Sequence, residues 1–245
     1  SVLDSLSEEF LRDIPIPSNN KLRPMDPARK AHNRQQSKLF DDLADYFDHP
    51  APEDTQARLR EIVASGLIRT GESVLDVATG TGVLLPLILE RHPSKVIACD
   101  LSSKMIAKAK VNFKDNVRFF RKDVVDMVGS IPMVDVVFCN ACFSNFHNPL
   151  EVLLSINSMC FYGARVIISH PMGRGFISHL KTDHPGMVTT DLPNYAETKA
   201  LLNAAGFRLD LFEDLPKLFI AVGRKIANFD ITDTTIKYAS DISAG

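Results

Sequence analysis

The chain has few cysteines, the residues whose disulfides cross-link small secreted folds: there are four among 245 residues, and tryptophan is absent. The cysteines, Cys99, Cys139, Cys142 and Cys160, lie within or beside apolar stretches. This placement predicts buried, reduced thiols in an intracellular protein and not a disulfide framework. Cys139 and Cys142 have the spacing of a redox motif, but no second pair or suitably spaced histidine accompanies them. We therefore favour a structural role for them and predict no metal site.

Long apolar runs and an excess of basic charge are also missing. No stretch approaches the roughly 18 apolar residues that a membrane span needs, and the N-terminus lacks a basic-then-apolar signal pattern. With 28 Lys and Arg against 30 Asp and Glu, the formal net charge is −2. Such a surface offers no general attraction to nucleic acid or anionic membranes, and the basic residues within 21–34 are interpreted as a solvated polar segment. We predict a soluble cytoplasmic protein. Because the chain begins with Ser1, removal of an organellar targeting peptide is an alternative that the sequence leaves open.

The chain divides into three parts. Residues 1–36 are predicted to form a peripheral arm with a short helix at 2–11, residues 37–225 the main domain, and residues 226–245 a tail. The main domain begins with a helical cap, since apolar residues recur at helical spacing within 38–47 and 55–64. A long connection near 170–193, rich in proline and glycine, is predicted to be a lid-like insertion.

From residue 73 onward the pattern is that of alternating strands and helices. Continuous apolar strands separated by helical segments indicate a parallel sheet covered on both faces. Two final strands flank Pro216 and must be antiparallel, because so short a turn leaves no room for a crossover. The predicted fold class is α/β, a doubly wound, mostly parallel sheet of seven strands with a terminal antiparallel hairpin. The predicted strands are 73–77, 95–99, 117–120, 134–139, 164–169, 207–212 and 217–222; the predicted helices are 83–91, 103–111, a short one near 124–128, 150–160 and 194–205.

A glycine-rich turn follows the first predicted strand: residues 74–82 are Val-Leu-Asp-Val-Ala-Thr-Gly-Thr-Gly. Gly80 and Gly82 allow a tight turn and a close approach of the backbone to a ligand. The second predicted strand ends in Asp100, 18 residues beyond Gly82. Ligands of open α/β sheets bind at the carboxyl ends of the strands, where a carboxylate can accept hydrogen bonds from both ribose hydroxyls. The pattern predicts a ligand that contains a nucleoside.

Two ligand classes fit such a turn, dinucleotides and S-adenosylmethionine. The dinucleotide fingerprint requires a third glycine, and Leu85 stands at that position. Asp76, four residues before Gly80, is unsuited to a neighbouring pyrophosphate but suited to a ligand with an ammonium group. These two residues favour the sulfonium ligand over NAD.

Residues 75–82 resemble the signature turn of the class I S-adenosylmethionine-dependent methyltransferases, with Ala78 where the first glycine of the pattern often stands. The matched motifs cover residues 73–140, and the order of elements extends the similarity to about residue 224. The resemblance implies the seven-strand fold, S-adenosyl-L-methionine as methyl donor and S-adenosyl-L-homocysteine as product.

The resemblance also implies roles for individual residues. Those expected at the methionine moiety are Asp76, Ala78, Gly80 and Gly82. Those expected at the adenosine are Asp100 for the ribose, Leu101, Met105 and Val124 beside the adenine, and Asp123 at its amino group. Those expected around the reactive methyl are Asn140 and Ala141 beneath it and Tyr46 as an aromatic that closes over the cofactor. Each acid alone could be a turn residue or a helix N-cap, but acids at three successive strand ends favour the joint interpretation.

Catalytic candidates follow the fourth and fifth predicted strands. His147 and His170 could each act as a general base, and Arg174 could bind an anionic part of the acceptor. Alternatively these are loop histidines and a solvated arginine. The region after the fourth strand begins Asn140-Ala-Cys-Phe and lacks the Pro-Pro pair typical of nucleic-acid amino methyltransferases. The sequence also contains no Pro-Cys pair, which disfavours a cysteine nucleophile of the cytosine C5 type.

The preferred function is therefore methyl transfer to a small molecule. An alternative is a methyltransferase-like subunit that serves as a scaffold in a larger assembly through its arm and tail, and a less favoured one is an NAD-dependent oxidoreductase. No membrane partner is expected, and nucleic acid is disfavoured.

Overall fold

The computed structural model describes residues 26–228, so the predicted helix at 2–11 and most of the tail lie outside the described residues. The strands of this region form a single seven-stranded sheet. They are β1 (Ser73–Val77), β2 (Lys95–Asp100), β3 (Arg118–Arg121), β4 (Val134–Asn140), β5 (Cys160–His170), β6 (Phe207–Leu215) and β7 (Leu218–Lys225).

The strand order β3-β2-β1-β4-β5-β7-β6 is that of a doubly wound sheet. The pairs β1–β2, β2–β3, β1–β4 and β4–β5 are parallel, whereas β7 runs antiparallel to both β5 and β6. The predicted fold class is confirmed. The direction of winding reverses between β1 and β4, and a crevice forms at the carboxyl ends of the two strands on either side of such a switch.

Helices cover both faces of this sheet. They are α1 (Pro27–Phe47), α2 (Glu53–Ser65), α3 (Leu85–Leu89), α4 (Ser103–Phe113), α5 (Pro149–Ser158), α6 (Gly173–Asp183) and α7 (Tyr195–Ala204), with short 3₁₀ segments at Val124–Met127 and Phe143–Asn145. The face that bears α2 and α3 buries Ile62 and Leu85 against Val136 and Phe138. The face that bears α5 and α7 buries Leu153 with Val137 and Ile168. Each strand therefore sends alternate side chains into two separate apolar layers.

Local sequence signals explain where the helices begin. Asp26 accepts a hydrogen bond from the backbone N–H of Ala28, and Pro27 occupies the first turn of α1. Asn194 and Glu197 form a reciprocal capping box at the start of α7. Within residues 26–228 no helix combines the length and the apolar character that crossing a membrane requires.

The structure differs from the predicted organisation at two places. Helix α1 runs without a break through the predicted boundary at residue 36, so the second part of the predicted arm belongs to the same helix as the cap. The predicted lid-like insertion near 170–193 contains α6 in its first half. Both helices lack a continuous apolar stripe: α1 buries Arg29, Gln36 and Ala44, and α6 buries Gly173 and Ile177.

Candidate active site

The glycine turn lies at the switch point between β1 and β4. Ala78, Gly80 and Gly82 all have left-handed backbone conformations, with φ of 53°, 58° and 89°. A Cβ at Gly82 would meet the side chain of Leu85 at 2.9 Å, whereas the space beside Gly80 is open. Gly82 is thus required by packing and by its backbone conformation. At Gly80 the space that a side chain would fill is open to a ligand.

Asp76 is the buried acid of this turn. Its Oδ2 accepts a hydrogen bond from Thr79 Oγ1 at 2.6 Å, and no cation contacts it in the described part of the chain. Burial raises the pKa of Asp76 to about 7, from an ordinary value of 3.8. An uncompensated buried carboxylate is costly for the fold, so a ligand with a positive charge would relieve a real penalty here.

Asp100 ends β2 directly beside the turn. Its Oδ2 accepts from the N–H of Gly80 at 2.9 Å and its Oδ1 accepts from the N–H of Ser102 at 2.8 Å. Burial raises the pKa of Asp100, and the backbone hydrogen bonds partly offset that effect. Since each carboxylate oxygen can accept a second hydrogen bond, the side chain retains capacity for two hydroxyl donors.

Helix α1 crosses the carboxyl ends of β2 and β3. Ser37 Oγ donates to the carbonyl oxygen of Leu101 at 3.1 Å, and Asp41 accepts from Ser102 Oγ at 2.6 Å. Thr81 Oγ1 donates to the carbonyl oxygen of Phe47 at 3.3 Å. The helix is therefore fastened to the segments that follow β1 and β2, which is where the sequence predicts the adenosine.

The third predicted acid, Asp123, is held by the same helix. Its Oδ2 accepts from Arg29 Nη1 at 2.9 Å and from Asn33 Nδ2 at 2.7 Å, and its Oδ1 accepts from the N–H of Val125 at 3.0 Å. Arg29, which the sequence placed in a solvated basic segment, is buried, so that expectation was wrong. Val124 and Met105 are buried as well.

Asn140 and Ala141 lie at the end of β4, across the switch point from Asp76. Asn140 Oδ1 accepts from Ser169 Oγ at 2.9 Å, and the N–H of Ala141, a residue with φ of 54°, donates to the carbonyl oxygen of Ser169 at 2.8 Å. Strand alternation places the side chains of Asp76, Asp100, Asn140 and Ser169 on the sheet face that carries α2 and α3. These four polar groups therefore converge on one crevice.

Tyr46 and Arg174 are predicted site residues that are not brought into the crevice. The side chain of Tyr46 is 74% exposed and packs edge-on against the ring of Phe47. Arg174 is occupied elsewhere: its Nη1 pairs with Asp214 at 2.6 Å and its Nε donates to the carbonyl oxygen of Leu192 at 3.1 Å. Through its contact with Asp214, Arg174 joins α6 to the terminal hairpin.

His170 is buried but faces away from the acids. Alternation along β5 places it with Ile168, on the face opposite Asn140 and Ser169. Its Nδ1 accepts the N–H of Met172 at 3.1 Å, and burial lowers its pKa to about 4. A histidine with its lone pair already engaged is a poor proton acceptor, so this geometry does not favour the predicted role of His170 as a base.

The sequence reasoning missed two polar groups, one in the loop after β4 and one on α1 that contacts this loop. His32 Nε2 lies 2.8 Å from the carbonyl oxygen of Asn145; because a carbonyl only accepts, Nε2 is the donor in this contact. The ring of His32 lies 5.4 Å from that of His147. Ser144 Oγ is buried without a partner among residues 26–228. No sequence signal linked His32 to this loop, which is 113 residues away.

The residues present fit S-adenosylmethionine. A buried acid beside an open glycine turn suits the methionine ammonium, Asp100 retains capacity for the ribose hydroxyls, and Asp123 Oδ1 retains capacity for one further N–H. Within the described chain no group of three or more His, Cys, Asp or Glu residues is arranged to hold a metal ion. A dinucleotide fits less well, because its pyrophosphate would meet the Asp76 carboxylate.

Comparisons with known proteins agree with this geometry. Residues 74–160 match the family model described as a methyltransferase domain. The tRNA 5-carboxymethoxyuridine methyltransferase of Escherichia coli (strain K12) is 26% identical over 202 residues, which cover 71% of this chain and 77% of the relative. The malonyl-[acyl-carrier protein] O-methyltransferase 1 of Ilyobacter polytropus is 30% identical over 100 residues, 40% of this chain and 37% of the relative.

Solved structures share the fold. A chain from a complex between the Haloferax volcanii Trm112 methyltransferase activator and a methyltransferase superposes with a TM-score of 0.65 at 19% identity, over 77% of this chain and 98% of that one. The magnesium protoporphyrin IX methyltransferase of Synechocystis PCC 6803 with bound S-adenosylhomocysteine gives 0.59 at 18% identity, over 80% and 99%. Residues 74–160 thus match a methyltransferase domain, and the described chain has the fold of these solved methyltransferases.

Proposed function

We propose that this protein transfers the methyl group of S-adenosylmethionine to a small-molecule acceptor. The observation that carries the proposal is the enclosure of the crevice at the ends of β4 and β5. Helix α1, helix α2 and the segment after α6 each contribute contacts there, which favours an acceptor of limited size over a folded macromolecule.

Two sets of hydrogen bonds hold the loop after β4 against its neighbours. Asn145 Nδ2 donates to Gln36 Oε1 of α1 at 3.0 Å and to the carbonyl oxygen of Met187 at 2.8 Å. The carbonyl oxygen of Ser144 accepts the N–H groups of Thr189 and Thr190 at 2.8 and 3.0 Å. The loop after β4 is thus tied to α1 on one side and to the segment after α6 on the other.

Helix α2 closes the remaining side. Arg58 Nε donates to the carbonyl oxygen of Pro171 at 2.6 Å, and its Nη2 donates to Thr55 Oγ1 at 3.0 Å. Arg58 thereby fixes the turn that follows β5. Contacts that bound a crevice in this way help to align reactants, and alignment can contribute on the order of 7–11 kcal/mol to a barrier.

The cofactor supplies the electrophilic methyl carbon and a neutral thioether leaving group. The residues of this chain have the tasks of holding and orienting. Asp76 and the Gly80 backbone would hold the methionine moiety, Asp100 the ribose, and Asn140 and Ala141 the wall beneath the reacting atoms. If the acceptor carries a proton, His32 is a better candidate to accept it than His170, because His32 lies beside the loop after β4, whereas His170 Nδ1 already accepts the N–H of Met172.

The names of the relatives define the acceptors to be compared. One relative is named for a tRNA nucleoside that bears a carboxymethoxy group, and the other for the malonyl group of a carrier protein. Both groups are small acids on larger carriers. The balanced charge of this chain, −2 overall, favours the free small acid over a polyanionic RNA.

The experiment is transfer of a radiolabelled methyl group from S-adenosylmethionine to three sets of acceptors: a small-molecule extract and defined carboxylic acids, phenols and amines; bulk RNA; and an acylated carrier protein. We expect label in the small-molecule fraction, and its loss in an Asp100→Ala variant. Label confined to RNA or to the carrier protein would contradict the small-molecule proposal while leaving the enzyme class intact. Cofactor binding without transfer to any of the three would instead favour the scaffold alternative.

A further inference from the structure

Arg29 and Asn33 of α1 contact Asp123, which follows them in the sequence by 94 and 90 residues. Both donate to the same oxygen, Oδ2, at 2.9 and 2.7 Å, while among residues 26–228 the partner of Oδ1 is the N–H of Val125 at 3.0 Å. The contact is shielded from solvent, since the side chains of Arg29 and Asp123 are 8% and 13% exposed. A shielded, charge-assisted arrangement of this kind fixes the orientation of the carboxylate.

The hydrogen-bond capacity of Asp123 is nearly used up. A carboxylate offers about four acceptor positions, two on each oxygen. Three of these positions are filled by the two side chains of α1 and the backbone of Val125. One position remains, on Oδ1, and it can accept a single further N–H.

Arg29 also determines the charge around this position. Its Nη2 donates to Asp126 Oδ1 at 3.1 Å, and its Nε lies 4.0 Å from Glu151 Oε2. Three carboxyl groups therefore surround one guanidinium. Arg29 therefore links Asp123 to two further acidic side chains through one planar guanidinium, which limits the positions that the Asp123 carboxyl group can adopt.

We propose that Arg29 and Asn33 determine the specificity of the cofactor site for adenine, by holding the Asp123 side chain in an orientation that leaves one vacant acceptor position, on Oδ1. That position takes an N–H of the exocyclic amino group and rejects a purine that presents a carbonyl oxygen there. The inference rests on the proposed placement of adenine at Asp123. Arg29 and Asn33 act through Asp123 and are positioning residues.

The test compares two ligands, S-adenosylhomocysteine and S-inosylhomocysteine, in which a carbonyl oxygen replaces the amino group. Calorimetry with the wild type should give an affinity ratio of about 10- to 100-fold in favour of the adenosyl ligand, the worth of one charge-assisted hydrogen bond. Asn33→Ala and Arg29→Lys should each lower this ratio at least threefold. Arg29→Lys is chosen in place of Arg29→Ala, because it keeps the positive charge and loses only the forked geometry. The test therefore does not depend on whether Arg29→Ala folds.

Ser37→Ala is the matched control, because it removes a contact between α1 and Leu101 without touching Asp123. It should weaken both ligands to the same extent and leave the ratio unchanged. If Asn33→Ala and Arg29→Lys behave like this control, these residues only fasten α1 and the inference is wrong. A wild-type ratio near one, with normal S-adenosylhomocysteine binding, would overturn the adenine placement itself but would leave methyl transfer untouched.

Discussion

Replacing Asp76 by asparagine should stabilise the protein in the absence of the cofactor and at the same time abolish cofactor binding. The carboxyl group is buried, its described side-chain partner is the Thr79 hydroxyl, and its pKa is raised by burial to about 7 from 3.8. A shift of about three pKa units corresponds to about 4 kcal/mol. Asparagine has the same shape, can accept the same hydrogen bond from Thr79, and carries no charge that burial would penalise.

The effect has a defined dependence on pH. Between pH 4 and pH 7 the folded protein retains a proton on Asp76 that the unfolded chain has already lost, so this group's contribution to stability falls as the pH rises and the full penalty is present above pH 7. The gain in the free energy of unfolding from Asp76→Asn should therefore be about 4 kcal/mol at pH 8 and about 2 kcal/mol at pH 5.

Urea unfolding of both proteins without cofactor, at pH 5 and pH 8, measures these gains directly. Asp115→Asn, which changes an exposed carboxylate, serves as the control and should alter stability by less than about 0.5 kcal/mol. Calorimetry should show that Asp76→Asn binds S-adenosylhomocysteine at least tenfold more weakly. A variant that is less stable than the wild type at pH 8, or that keeps its affinity, would refute the view of Asp76 as a residue retained for the ligand at the expense of stability.

Three further outcomes follow from the site. Asp100→Ala should cost about 1.5–3 kcal/mol of cofactor affinity, and a loss below twofold in calorimetry would contradict its assignment to the ribose. Gly80→Val should abolish binding but retain the fold by circular dichroism, because the added side chain meets open space and the left-handed backbone costs only about 1–2 kcal/mol; unchanged affinity would show that the turn does not contact the ligand. As the pH falls from 6.5 towards 4, the wild type should lose more stability than His170→Gln. The reason is that the buried imidazole, with a pKa of about 4, stays neutral over a pH range in which His170 of the unfolded chain binds a proton. The difference between the two proteins should reach about 2 kcal/mol at pH 5 in urea unfolding, and parallel pH profiles would contradict the assigned environment of His170.

The sheet could be predicted from the sequence because its strands are buried on both faces. β1 begins and ends where the sequence predicts, at Ser73 and Val77, and β4 extends one residue beyond its predicted end, to Asn140. Continuous apolar runs bounded by turn residues leave little choice of assignment. The three acids were recognisable for the same reason, since each lies at or just beyond the end of a strand that the pattern identifies.

Helix α1 could not be delimited in this way, because polar contacts fasten it more than an apolar stripe does. Arg29 and Gln36 are among its buried residues, and hydrophobic periodicity cannot detect buried polar residues. Their partners, Asp123 and Asn145, are remote in the sequence. The contribution of α1 to the site therefore became visible only in three dimensions.

The catalytic candidates show the corresponding limit for function. His170 and Arg174 were chosen because they follow β5, yet a residue at a strand end can project onto either face of the sheet. Position along the chain predicted their neighbourhood, but the direction of His170 depends on the register of β5 against β4 and β7, and the partner of Arg174 depends on the hairpin.

Titration calorimetry of the wild-type protein with S-adenosylhomocysteine at pH 6.5, in two buffers of different ionisation enthalpy, tests the central claim most directly. The predicted result is saturable one-to-one binding with release of a proton from Asp76, seen as a difference in heat between the buffers, and both signals should disappear in Asp76→Asn. Absence of binding at high micromolar ligand, or binding that does not depend on Asp76, would contradict the assignment of this crevice to the cofactor.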